Sequence, residues 1–170
     1  MVSISAAIPI TLCLLIFSAK PNTCQKTIEA LCANTIDPGF CRRVLAASPT
    51  QSPDGLLKAA VSQAAADAVA TGDLIKSLLN QPNDPNLVAY SQCSNYYSAA
   101  VAALDAASQL LGSRPAADVK NDVASAASTV QKDGDHCEAS FDNGAKHALS
   151  SENRRLKIHG NIISVVCDAI

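Results

Sequence analysis

Tryptophan is absent from this 170-residue chain, and aromatic residues make up only 4% of it. A core built without large rings is aliphatic, closed by many small contacts rather than a few broad ones. An excess of charge of one sign is also missing. The 13 basic side chains face 15 acidic ones, for a formal net charge of −2, which leaves no electrostatic footprint for a nucleic acid. Charged residues are 16% and hydrophobic ones 48%, too apolar a balance for a disordered tail. Mean hydropathy is +0.14 and there is a single apolar run, near the N-terminus, so a polytopic membrane protein is excluded. No Asn-x-Ser/Thr sequon occurs; Asn22-Thr23-Cys24 offers only the rare Asn-x-Cys form.

What the chain has in abundance is alanine, 30 residues of it. Alanine favours helices over strands, and its small side chain lets helix backbones approach closely. The expected fold class is all-α. The length suits one domain with a core large enough to need no metal.

Residues 1–19 stand apart. They carry no charge, and their apolar stretch, 8–17, is short for a bilayer span. They read as a secretory signal, cleaved near Ser18, Ala19 or a few residues later. The stretch lacks an N-terminal Lys or Arg, so an uncleaved anchor is the alternative. Once Cys13 leaves with the signal, six cysteines remain: Cys24, Cys32, Cys41, Cys93, Cys137 and Cys167. An even count behind a secretory signal reads as a disulfide framework. No pair has the Cys-x-x-Cys spacing of a zinc or redox site. Spacing alone leaves the connectivity open.

Residues 20–53 read as an N-terminal helical hairpin region. Turn signals at Asp37-Pro38-Gly39 and at 48–53 leave helical pieces at 27–33 and 40–46. Residues 54–170 carry helical periodicity. Leu57, Val61, Ala64, Ala68, Ile75 and Leu78 define a first long helix, weakened at Gly72 by about 1 kcal/mol relative to Ala. A loop with Pro82 and Pro85 ends it. Leu87, Tyr90, Tyr97, Val101, Leu104 and Leu111 then form a heptad stripe, with Ser94 and Ser108 in the remaining slots and Gly112 as C-cap. A third helix after Pro115 places Val119, Val123, Ala126, Ala127 and Val130 inward and breaks at Lys132-Asp133-Gly134-Asp135. A short element holds Cys137 and Phe141 before Asn143-Gly144. The last helix, from about Ser151, carries Leu156, Ile158, Ile162, Ile163, Val165, Val166 and Ile170. Four long amphipathic helices with short connections predict an antiparallel up-and-down four-helix bundle, preceded by the short helical hairpin.

A catalytic constellation is missing. There is no G-x-S-x-G, no H-E-x-x-H and no glycine-rich phosphate cradle. His159 falls on the apolar stripe of the last helix and reads as a core or boundary histidine. His147 falls in a turn, and His136 adjoins a cysteine. Asp133-Gly134-Asp135-His136-Cys137-Glu138 lacks the full calcium-loop pattern and reads as a solvated turn. Arg42-Arg43 and Arg154-Arg155 read as solvated helix faces. The expectation is a non-enzyme with no metal and no cofactor, which works by presenting a surface.

Three local motifs give that surface a family. Cys32, Thr35, Pro38 and Cys41 lie in the segment Leu31-Cys32-Ala33-Asn34-Thr35-Ile36-Asp37-Pro38-Gly39-Phe40-Cys41. The segment resembles the opening signature of the plant invertase and pectin methylesterase inhibitors. Tyr90-Ser91-Gln92-Cys93-Ser94-Asn95-Tyr96-Tyr97 is similar to the family's Cys-x-x-x-Tyr segment. Ser125-Ala126-Ala127 followed by Cys137-Glu138-Ala139-Ser140-Phe141 resembles its Ser-Ala-Ala…Cys-Glu-x-x-Phe run. Together the motifs span residues 27–170.

The resemblance implies the pairs Cys32–Cys41 and Cys93–Cys137. It leaves Cys24 and Cys167 either as a third bridge between the chain ends or with one thiol free. It also implies a secreted inhibitor, in the apoplast or cell wall, that docks on a carbohydrate-active enzyme and obstructs its active-site cleft. The partner is a pectin methylesterase or an acid invertase, with the vacuole as the location if a vacuolar invertase is the target. Invertase-directed members characteristically carry Pro-Lys-Phe near the start of the third bundle helix. This chain has Ala117-Asp118-Val119-Lys120-Asn121-Asp122-Val123 there, which tilts the reading toward pectin methylesterase. Asp118, Lys120, Asn121 and Asp122 alternate with inward-facing Val119 and Val123, and they are the expected partner-contact residues. The rival from another class is a secreted helical carrier of an apolar ligand, although such carriers show adjacent Cys-Cys and Cys-x-Cys pairs.

Overall fold

The computed structural model describes residues 28–141 and 147–170. The expected signal segment, Cys24 and the Asn143-Gly144 turn lie outside the described residues. The fold is all-α, without a strand among the described residues.

A proline and a capping side chain open each of the first two helices. Helix α1 (Pro38–Ala46) begins where the Asp37 carboxylate accepts a hydrogen bond from the Phe40 N–H at 2.9 Å. Helix α2 (Pro53–Leu79) begins where the Ser52 hydroxyl accepts one from the Gly55 N–H at 3.1 Å. Proline fits the first turn because the amide it lacks would have no intrahelical partner there. Both turn signals in the sequence are thus helix starts. Residues 28–32 form one further helical turn, tied back to α1 by a Cys32–Cys41 disulfide with the Cα atoms 5.5 Å apart.

Helices α3 (Leu87–Ser113), α4 (Ala116–Ala139) and α5 (Ser150–Asp168) complete the bundle. At 27 residues each, α2 and α3 are about 40 Å long. Sequential neighbours pack together, and α5 closes the ring against α2, while the diagonal between α2 and α4 is nearly free of contact. This is the antiparallel four-helix bundle that the periodicity predicts. A second disulfide, Cys93–Cys137, joins α3 to α4 with the Cα atoms 4.7 Å apart. None of the described helices is long and apolar enough to cross a membrane.

The seam on α3 differs from the predicted stripe. Tyr90, Tyr97, Leu104 and Leu111 are buried as expected, but Cys93, Ala100 and Ala107 fill the alternate slots. Of the predicted stripe, Ser108 is exposed, and Leu87, Ser94 and Val101 are only half-buried. Small residues inside bring the neighbouring helices close. Gly112 does not cap α3, which continues to Ser113. Arg114, the residue before Pro115, takes the extended conformation that proline imposes on its predecessor, and that ends the helix.

The predicted break at Lys132–Asp135 is absent. Helix α4 runs through it to Ala139 and carries Cys137 on its own inner face. Gly134 is there for closeness rather than for a turn. A Cβ on it would stand 2.9 Å from the Asn153 carbonyl oxygen and 3.3 Å from the Lys157 nitrogen on α5. Glycine's helix penalty of about 1 kcal/mol is offset by the backbone contact it permits.

Candidate functional site

The four expected contact residues sit on the first turns of α4. Asp118, Asn121 and Asp122 are exposed and Lys120 is half-buried, while Val119 and Val123 between them are fully buried. This end of α4 has no side-chain cap of its own. Its first amide, on Ala116, donates instead to the Asp54 carboxylate of α2 at 3.4 Å. The Arg114 guanidinium bonds the Asp118 carbonyl at 3.4 Å. The result is a polar helix face on a rigid base. Lys120 also acts at a distance on Cys167 of α5, a buried free thiol that burial pushes up to about 11.

Two buried polar clusters escape the sequence. In the first, His159 of α5 is wholly buried, and its Nε2 lies 2.8 Å from Asp67 Oδ2 of α2. The Phe40 ring of α1 meets the imidazole edge-on, with centroids 5.0 Å apart, and the Arg43 guanidinium lies over that phenyl ring, 5.4 Å from its centroid. Burial lowers the His159 pKa, against the opposing pull of Asp67. In the second cluster, the Tyr97 hydroxyl donates to Asn153 Oδ1 at 3.1 Å, and Asn153 Nδ2 donates to Glu138 at 2.8 Å. The Ser150 hydroxyl reaches the same carboxylate at 3.4 Å. His147 stacks on Phe141 at 3.5 Å and lies 3.2 Å from Glu138, off the line of a good hydrogen bond. Desolvation raises the Tyr97 pKa well above 10.

Neither cluster assembles a reaction. A histidine–carboxylate pair becomes a base only when its second nitrogen meets a nucleophile. His159 Nδ1 is buried and meets no hydrogen-bonding partner at all. The acidic stretch 133–138 is wound on a helix, so its side chains diverge. Asp135 pairs with Lys157 at 2.8 Å, Cys137 is in a disulfide, and Glu138 holds Asn153. It is therefore not the solvated turn expected from sequence. Among the described residues no three metal-ligating side chains converge.

Among the described residues, three recesses open at the surface. A recess of about 560 Å³ opens beside the loop between α1 and α2, lined by Pro49, Thr50, Asp54, Lys58 and Gln63 among others. Two grooves of about 260 Å³ run along the seam between α2 and α3. The space within the bundle bounded by Asp67, Thr71, Tyr97 and Leu156 has no room for a ligand.

The profile described as plant invertase/pectin methylesterase inhibitor matches residues 26–166. No curated protein matches significantly. Two solved structures share the fold at 20% sequence identity. A mutant form A of a pectin methylesterase inhibitor from Arabidopsis superposes with a TM-score of 0.73, over 84% of this chain and 96% of that one. A pectin methylesterase inhibitor from Arabidopsis thaliana superposes with a TM-score of 0.62, over 84% and 95%.

Proposed function

This chain belongs to the plant invertase/pectin methylesterase inhibitor family, and from that premise we infer that it is a secreted protein inhibitor of a pectin methylesterase, acting by covering the enzyme's active-site cleft. The observation that carries the reading is the family match over residues 26–166, taken with two pectin methylesterase inhibitors as structural neighbours. The absence of Pro-Lys-Phe from 117–123 favours pectin methylesterase over acid invertase. The bundle contributes no catalytic residue of its own in this reading. A rigid, stapled rod with exposed polar helix faces suits steric obstruction, because its apolar stripes are used in its own core.

The secretory reading of residues 1–19 places the protein outside the cell, where its disulfides persist. The contact surface is the polar face of Asp118, Lys120, Asn121 and Asp122. The test is inhibition by the oxidised, signal-free protein of a panel of plant pectin methylesterases and acid invertases. Inhibition of a pectin methylesterase alone supports the reading. Inhibition of an invertase alone replaces the target, and inhibition of neither removes the proposal.

A further inference from the structure

His159 stands where three elements meet: α5, which carries it, α2, which supplies Asp67, and α1, whose Phe40 ring covers it. Its ring is in contact with the N-terminal hairpin, and hydrogen bonds to only one of its nitrogens are made. With Nε2–H donated to Asp67, a neutral imidazole leaves Nδ1 as a bare acceptor, an arrangement the buried site tolerates. A protonated ring is a different object. It places a second N–H, and a full positive charge, at a buried atom with no acceptor for it.

The surrounding charges do not repair this. Asp67 faces the ring from α2, but its side chain is 26% exposed against 1% for His159, so water screens the carboxylate more than the imidazolium. Arg155, one turn earlier on α5, opposes a positive ring. On α1, Arg43 lies over Phe40 and adds a like charge on that side. Glu152 lines the same space as Asp67 and Arg155. On α4, the uncharged Gln131 lies against Gly160, the next residue along from His159; on α3, Tyr97 lines the same space as Asp67.

The hairpin is the element able to yield. Helix α1 has nine residues, and it packs on α2 far less extensively than the bundle helices pack on one another. The hairpin is otherwise held by the Ile36 N–H, which donates to Asn161 Oδ1 at 2.8 Å, and by Ile28, Val44 and Leu45, which are buried in the shared core. The Cys32–Cys41 bridge holds the hairpin to itself and not to the bundle.

We propose that His159 is a pH-sensitive latch for the N-terminal hairpin: protonation of its ring releases residues 28–46 from the bundle while α2–α5 stay packed. Lifting Phe40 opens Nδ1 to water, which supplies the missing acceptor and solvates the charge. The sign follows from the depressed folded-state pKa. Docking is complete above the ordinary histidine value of 6.5 and weakens as the pH falls below it. This inference goes beyond the inhibitory reading and does not depend on it.

The test is hydrogen–deuterium exchange on the oxidised protein, corrected for intrinsic exchange, between about pH 7.5 and about pH 5, the range in which histidines charge. Protection of residues 28–46 falls at least about tenfold with decreasing pH, while that of α2–α5 holds. In His159→Gln, whose amide can still donate to Asp67 but cannot titrate, hairpin protection is flat with pH. Protection that is pH-independent in the wild type, a loss spread evenly over α2–α5, or the same slope in His159→Gln overturns the proposal. Should that variant not fold, NMR titration of the wild type decides. The His159 Cε1–H midpoint then coincides with that of the hairpin amides, and two separate midpoints overturn the latch.

Discussion

Gly160 of α5 lies so close to α4 that a Cβ on it would stand 2.6 Å from the carbonyl oxygen of Ala127. Backbone, which cannot swing aside, is what a side chain there would meet. Gly160→Ala is therefore expected to destabilise the fold by about 1–3 kcal/mol, the usual cost of overpacking. Gly72, on α2, has nothing within 4 Å of the corresponding position. Gly72→Ala is expected to stabilise by about 0.5–1 kcal/mol through helix propensity. Urea unfolding of the two variants beside the wild type checks both signs.

The second polar cluster makes Tyr97 a matched test. Tyr97→Phe keeps the ring and removes the donor to Asn153, at a cost of about 1–2 kcal/mol. It also changes the alkaline limb of the stability curve. The folded-state pKa of Tyr97 is raised above its ordinary 10.0 by burial, so the unfolded chain loses this proton first. The stability that depends on the neutral phenol is present below that value and declines as the pH rises past it. Denaturation from neutral to strongly alkaline pH should show a shallower decline in the variant.

The two bridges differ in the loops they close. Cys32–Cys41 spans 9 positions and Cys93–Cys137 spans 44, worth about 2–3 and about 4 kcal/mol by loop entropy. Serine pairs at each bridge, unfolded in denaturant, should rank in that order. Cys167 offers an internal control. Its thiol, pushed up to about 11 by burial, should resist iodoacetamide in the folded protein at neutral pH and react on unfolding.

Replacing Asp118, Lys120, Asn121 and Asp122 together with alanine should leave thermal stability nearly unchanged, since exposed substitutions typically stay within about 0.5 kcal/mol each. The same variant should inhibit the target enzyme at least tenfold less, about 1.4 kcal/mol of binding energy. Unchanged inhibition would move the contact surface to the outer faces of α2 and α3.

Much of this molecule is legible in its sequence, for physical reasons. Val119, Val123, Ala127 and Val130 announce one face of α4 because valine among polar residues has a single plausible side to turn inward. Alanine carries no such signal, so the pattern on α3 points to Val101 and Ser108 where the structure buries Ala100 and Ala107. Asp133-Gly134-Asp135 reads as a turn by local chemistry; only the approach of α5 explains the glycine. The pairing of Asp67 with His159, 92 positions apart, leaves no local trace. The exposed side of α4 could be read from alternation with its valines, but a partner surface has no period of its own.

The way α5 closes against α2 also bears on how the chain acquires its shape. Pairs α2–α3, α3–α4 and α4–α5 are each joined by a short connection, so their loop-closure entropy is small. The α2–α5 contact must instead gather residues from nearly opposite ends of the described chain, as Asp67 and His159 do. Folding routes rich in local contacts are the fast ones. Three successive helical hairpins can zip along the chain before the ring is shut. The hairpin at 28–46, which leans on both α2 and α5, then has no platform until that last seam exists, and it is the final piece of the molecule to find its place.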